Sequence, residues 1–79
     1  MQDDSRIICH PAVLAGKPTI KGTRISVELI LKLLAQGTRY EAILEDYPDL
    51  TFEDIFAAIA YARDTVAAEE VGHFHPAEV

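Results

Sequence analysis

The sequence predicts a mainly α domain, three helices preceded by a short N-terminal β-arm, and three observations carry that expectation. Apolar residues recur at helical spacing in three separate segments after residue 25. Helix-start residues and helix-stopping Gly or Pro bracket those segments, while the first 25 residues hold only short β-favouring runs set off by Gly and Pro. At 79 residues and 49% hydrophobic content there is material for one core and no second domain, since a chain this small buries only about 60% of its unfolded surface.

Arg6-Ile7-Ile8-Cys9 reads as a strand closed by His10-Pro11, where the proline keeps its predecessor out of helical angles. The segment Gly16-Lys17-Pro18-Thr19-Ile20-Lys21-Gly22-Thr23-Arg24 alternates Thr19 and Lys21 with Ile20, which predicts a β-arm, and Pro18 places it at an edge. Ser26 is an N-cap for a first helix with Val27, Ile30, Leu31 and Leu34 on one stripe, stopped by Gly37. On its wet side Glu28 and Lys32 are ordered for an i,i+4 pair.

Thr38 with Glu41 reads as a capping box for a second helix carrying Tyr40, Ile43, Leu44 and Tyr47, which Pro48 ends. Thr51 caps a third, from about Phe52 to near Glu70, with Phe52, Ile55, Phe56, Ile59 and Val66 as its apolar stripe. Opposite that stripe a helical wheel sets Glu53, Asp54, Ala57, Ala58, Tyr61, Asp64 and Thr65, with Arg63 at the margin of the core. The domain is expected over 1–70. Residues 71–79 hold no period and are expected to be a tail.

Charge divides the chain in two. Residues 1–39 hold six of the seven bases against three acids, a balance of +3, whereas residues 40–79 hold one base and ten acids, a balance of −9. Any nucleic-acid contact is therefore expected from the N-terminal segment, and the acidic half suits a basic protein partner. The longest uncharged stretch, Ile7 to Gly16, is ten residues, short of the about 20 a membrane span requires, so no membrane association is expected. A single cysteine, Cys9, and an acidic N-terminus point to the cytoplasm.

Chemistry is not signalled. Gly16-Lys17 is no phosphate loop, because Pro11 stands at the first glycine and Pro18 where Ser or Thr would reach magnesium. His73 and His75 with His10 and Cys9 make no convincing metal set, no nucleophile has a supporting partner, and neither catalysis nor a cofactor is expected.

The segments Gly16 to Val27, Gly37, Ile43-Leu44-Glu45-Asp46-Tyr47-Pro48-Asp49-Leu50-Thr51 and Ala58-Ile59-Ala60-Tyr61-Ala62 together resemble the bacterial domain-of-unknown-function family numbered 433. The resemblance spans roughly residues 5–65. It implies a homeodomain-like helix-turn-helix behind a β-arm, and an antitoxin of a type II toxin–antitoxin pair, often beside a nuclease-like toxin. The residues agree on architecture: a helix from about Arg39, a turn at Tyr47-Pro48-Asp49-Leu50 and a following helix match helix-turn-helix spacing.

They agree less on recognition, because Glu53 and Asp54 would face phosphates from the start of the reading helix. If double-stranded DNA is held, Lys17, Lys21 and Arg24 on the arm and Arg39 at the second helix are the expected contacts. Lys17 and Lys21 have an alternative use, guarding an edge strand against pairing. A homodimer would double these contacts, and Ile20 or the Ala57-Ala58-Tyr61 patch is its expected seam. Toxin contact is expected from Asp64, Glu69, Glu70, Phe74 and Glu78. The leading expectation is a dimeric antitoxin and autorepressor; the alternative is an adaptor that binds protein and not DNA.

Overall fold

The computed structural model describes residues 6–69. Among them lie two strands, β1 (Ile7–Ile8) and β2 (Thr19–Ile20), and three helices, α1 (Val27–Ala35), α2 (Tyr40–Asp46) and α3 (Phe52–Glu69). The domain is mainly α, with a two-stranded antiparallel sheet at its N-terminal side in the register Ile7 opposite Ile20 and Ile8 opposite Thr19. Between the strands Leu14, Ala15 and Gly16 hold φ of 50°, 57° and 86°. Three left-handed residues in succession reverse the chain, at about 1 kcal/mol or more for each of the two that carry a Cβ.

β2 is not an edge. On its far side Thr19 bridges Ser26, the Ile20 N–H donates to the Ile25 carbonyl at 2.9 Å, and the Val27 N–H donates to the Pro18 carbonyl at 2.9 Å. Pro18 is tolerated because its carbonyl, which it retains, makes the contact there. Thr19 is consequently buried along with Ile20, and its hydroxyl is satisfied by the Lys17 carbonyl at 2.6 Å. Lys17 and Lys21 therefore flank a strand that has no open side for them to guard.

α1 starts where the Ser26 Oγ accepts the Leu29 N–H at 3.0 Å. It stops in a Schellman closure: Gly37, at φ 89°, donates to the Leu34 carbonyl at 3.0 Å and Thr38 to that of Leu33 at 3.0 Å. That closure consumes Thr38, so α2 is capped by Arg39 with no side-chain bond, and the expected Thr38–Glu41 box does not form. Replacing Ser26 by alanine orphans the Leu29 N–H and should cost about 1 kcal/mol in urea-unfolding stability.

α3 begins in a reciprocal cap. Thr51 Oγ1 accepts the Asp54 N–H at 3.2 Å, and Asp54 Oδ2 accepts the Thr51 N–H at 3.0 Å. The Asp54 Oδ1 then receives Arg6 Nη1 at 3.0 Å, which ties the residue just before β1 to the start of α3. Asp54, expected on the outer face, is thus buried. The core comprises Ile20, Val27, Ile30, Ile43, Leu50, Ile55 and Ala58, with Ile7, Ile25, Leu31, Leu33, Leu34, Leu44, Tyr47 and Ile59 packed against it.

The buried line of α3 therefore runs through Asp54, Ile55 and Ala58, rotated from the expected stripe. Phe56 is 50% and Val66 63% exposed, and from Arg63 to Glu69 every residue is exposed. None of the described helices is long and apolar enough to cross a membrane.

Candidate functional site

The arm cations are placed by a turn. Ile20 accepts the Thr23 N–H at 3.0 Å across Lys21 and Gly22, and Gly22 has φ 86° at the third position, which a type II turn reserves for glycine. The Thr23 hydroxyl donates to the Ile20 carbonyl at 2.9 Å and accepts the Ile25 N–H at 2.9 Å, fixing the loop from within. Lys21 on this turn and Arg24 just after it are both exposed, and neither has a carboxylate within ion-pair distance among the described residues.

Lys17 and Arg39 are placed elsewhere. Lys17 Nζ meets Glu28 Oε1 of α1 at 3.0 Å, replacing the expected Glu28–Lys32 pair. Both partners are exposed, so the pair holds Lys17 by under about 1 kcal/mol. Arg39 stands beyond the far end of α1 from Arg24, and nine helical residues rise about 13 Å. Lys21 and Arg24 thus lie on one exposed loop before α1, and Arg39 lies past its other end.

The expected dimer residues do not form one surface. Ile20 and Ala58 are 1% and 0% exposed within the chain's own core and have no face to offer a second copy. Ala57 is half-buried, and Tyr61 sits at the boundary, its phenol shifted above the ordinary tyrosine value first by lost hydration and then by the neighbouring Cys9 thiol. Of the expected toxin contacts, Asp64 is exposed and paired with Arg63 at 3.0 Å, and Glu69 is exposed at the end of α3. Glu70, Phe74 and Glu78 lie outside the described residues, as do His73 and His75.

One feature escaped the sequence reading. Tyr40 at the start of α2 meets Phe52 and Phe56 of α3, with ring centroids 6.4 and 5.8 Å away, and the two phenylalanines stack at 6.3 Å. Each ring remains at least one-third exposed. The spacing expectation puts Phe52 and Phe56 in the core because they fall at i,i+4 beside Ile55 and Ile59, and the structure leaves both exposed. The signal that could have separated them is the breadth of that apolar arc, too wide for one packed face. The Arg6–Asp54 tie was likewise half visible, as the spacing Thr51-x-x-Asp54 of a capping box.

Comparison with known proteins gives concordant findings. Residues 7–62 match the family described as "Protein of unknown function (DUF433)". Over 57 residues, 72% of this chain, the sequence is 35% identical to the uncharacterized protein y4eO of Sinorhizobium fredii (strain NBRC 101917 / NGR234). The matched region is 26% of that protein, so the chain spans about a quarter of the curated relative it matches. A crystal structure of a DUF433 member from Anabaena variabilis ATCC 29413 superposes with a TM-score of 0.75 at 33% identity, covering 81% of this chain and 63% of the other. A family match over most of the chain and a shared fold at that identity place it: the chain belongs to the DUF433 family, whose function is unknown.

Proposed function

We propose that the chain is the antitoxin of a type II toxin–antitoxin pair, a small homodimeric regulator that holds its own promoter and neutralises a basic toxin in the cytoplasm. The observation that supports it is the arm turn: Lys21 on a hydrogen-bonded, exposed type II loop and Arg24 directly after it meet no carboxylate among the described residues, which leaves both charges free for a phosphate backbone. In this reading α2, the turn at Tyr47–Thr51 and α3 form a homeodomain-like helix-turn-helix, with the arm reaching a groove and the helices resting on the backbone. The acids of α3, Asp64 and Glu69, extend beyond the core where a toxin could meet them.

Titration against duplex from the chain's own upstream region tests this. Lys21 and Arg24 from two copies neutralise four phosphates, so affinity should fall about a hundredfold between roughly 50 and 200 mM salt. The double charge reversal Lys21→Glu/Arg24→Glu should abolish binding and leave the helical circular dichroism unchanged. Affinity that survives the reversal removes the arm from the interface.

A second reading, an adaptor that binds only protein, is favoured by one observation. The N-terminal end of α3 exposes Phe52, Glu53 and Phe56, two rings and a carboxylate, where a reading helix needs donors. Absence of duplex binding at both salt concentrations would select it.

A further inference from the structure

We infer that the aromatic face formed by Tyr40, Phe52 and Phe56 is the docking site for a cationic, amphipathic segment of a separate protein. The rings are 36%, 41% and 50% exposed, and they contact one another across two helices. Clustered aromatics left in water are costly to keep and are what binding hot spots are made of. Nothing in the core requires them there, because Ile43, Leu50 and Ile55 already close the α2–α3 junction.

Charge identifies the occupant. From Tyr40 to Ala62 the sequence has six acids and no Lys or Arg. Asp54 is paired with Arg6, whereas Glu41, Glu45, Asp46, Asp49 and Glu53 are exposed and meet no cation among the described residues. Helix dipoles account for Glu41 and Glu53 in first turns. They do not account for Glu45 and Asp46, which crowd the negative end of α2, where the last turn has no base. An external guanidinium or ammonium would pair with Glu41 or Glu53, each next in sequence to a ring of the cluster, and lie against the rings by cation–π attraction, while the apolar side of the same segment covers Phe52 and Phe56.

Two other occupants fit less well. A second copy packed across a two-fold axis here would set Glu41 and Glu53 against their own like charges. The chain's own residues 70–79 bring Glu70 and Glu78 and no Lys or Arg. Nucleic acid would be repelled from the aromatic face itself, where Glu41 and Glu53 stand beside the rings, which leaves backbone contact to other sides of the helices. The docking site stands whether or not the arm turn holds DNA, although the cationic partner it selects is of the class a toxin reading requires.

The test uses the full 79-residue chain, isotopically labelled for amide shift mapping, and three synthetic helical peptides of about 18 residues, roughly five turns. One alternates Arg and Leu faces, one replaces Leu by Ser, and one replaces Arg by Glu. The Arg/Leu peptide should perturb amides of Tyr40–Glu45 and Phe52–Phe56 and bind about tenfold more tightly than either control. Phe52→Ala/Phe56→Ala, and separately Glu41→Lys/Glu53→Lys, should each weaken it by about tenfold or more.

Equal binding of the Arg/Ser peptide, shifts mapped elsewhere, or full affinity in the double variants would overturn the assignment. So would sedimentation in which Phe52→Ala/Phe56→Ala turns a dimer into a monomer, since the occupant would then be a second copy. All four positions are exposed, so the variants should fold; Tyr40→Ser provides an independent third test of the same face.

Discussion

Truncating Ile55 to alanine should remove more than half of the domain's stability, and truncating Phe56, the next residue, should remove little. Ile55 is 0% exposed and sits among Ile20, Val27, Ile30, Ile43, Leu50 and Ala58, side chains drawn from β2, all three helices and the α2–α3 turn. Deleting most of its side chain there costs the lost transfer energy and the cavity left behind, about 3–4 kcal/mol. A core of this size supplies only about 3–5 kcal/mol in total, so Ile55→Ala should lie near its unfolding midpoint without denaturant. Phe56 is half exposed and packs mainly on Phe52 and Tyr40, so Phe56→Ala should cost under about 1 kcal/mol. Urea melts of the two variants decide the rotational phase of α3: equal losses would mean that both residues face the core.

That pair of positions also marks where the sequence stopped being legible. Element boundaries were readable because they are encoded locally: Ser26 and Thr51 supply cap oxygens, Gly37 a left-handed stop, and Pro48 an interruption after α2. The phase of α3 was not, because Phe52, Ile55, Phe56 and Ile59 span a broad arc and Ala58 adds too little hydrophobic weight to mark its centre. The packing of α1, α2 and β1 against the helix selects Asp54, Ile55 and Ala58 for burial. Thr38 misled for a related reason, since the closure of α1 claimed it before α2 could.

The candidate surfaces divide in the same way. Lys21 and Arg24 could be placed on one loop from Gly22 and Thr23 between them, a local signal. The coupling of Lys17 to Glu28, the burial of Ile20 between β1 and the following segment, and the meeting of Tyr40 with Phe52 and Phe56 each depend on how separate elements dock. Periodicity carries no information about that docking.

Asp54→Ala should be the most damaging change at any polar position among the described residues, at about 2–3 kcal/mol. The side chain does two things with two oxygens: Oδ2 accepts the Thr51 N–H at 3.0 Å and Oδ1 accepts Arg6 Nη1 at 3.0 Å. Loss of the cap costs about 1 kcal/mol. Loss of the ion pair adds a similar amount rather than the full cost of breaking a buried pair, because the Arg6 side chain is 45% exposed and water can rehydrate it. Asp54→Asn keeps an acceptor for Thr51 and gives up the charge, so it should fall between wild type and alanine. Arg6→Ala should cost about 1 kcal/mol, chiefly because it leaves the Asp54 carboxylate without its counter-ion. In the double-mutant cycle the two sites should couple by about 0.5–1 kcal/mol, and amides of β1 should lose exchange protection before those of α1. A coupling of zero would make Asp54 a cap alone, and β1 would then be held by its ladder to β2 and by Ile7 against the core rather than by the Arg6–Asp54 pair.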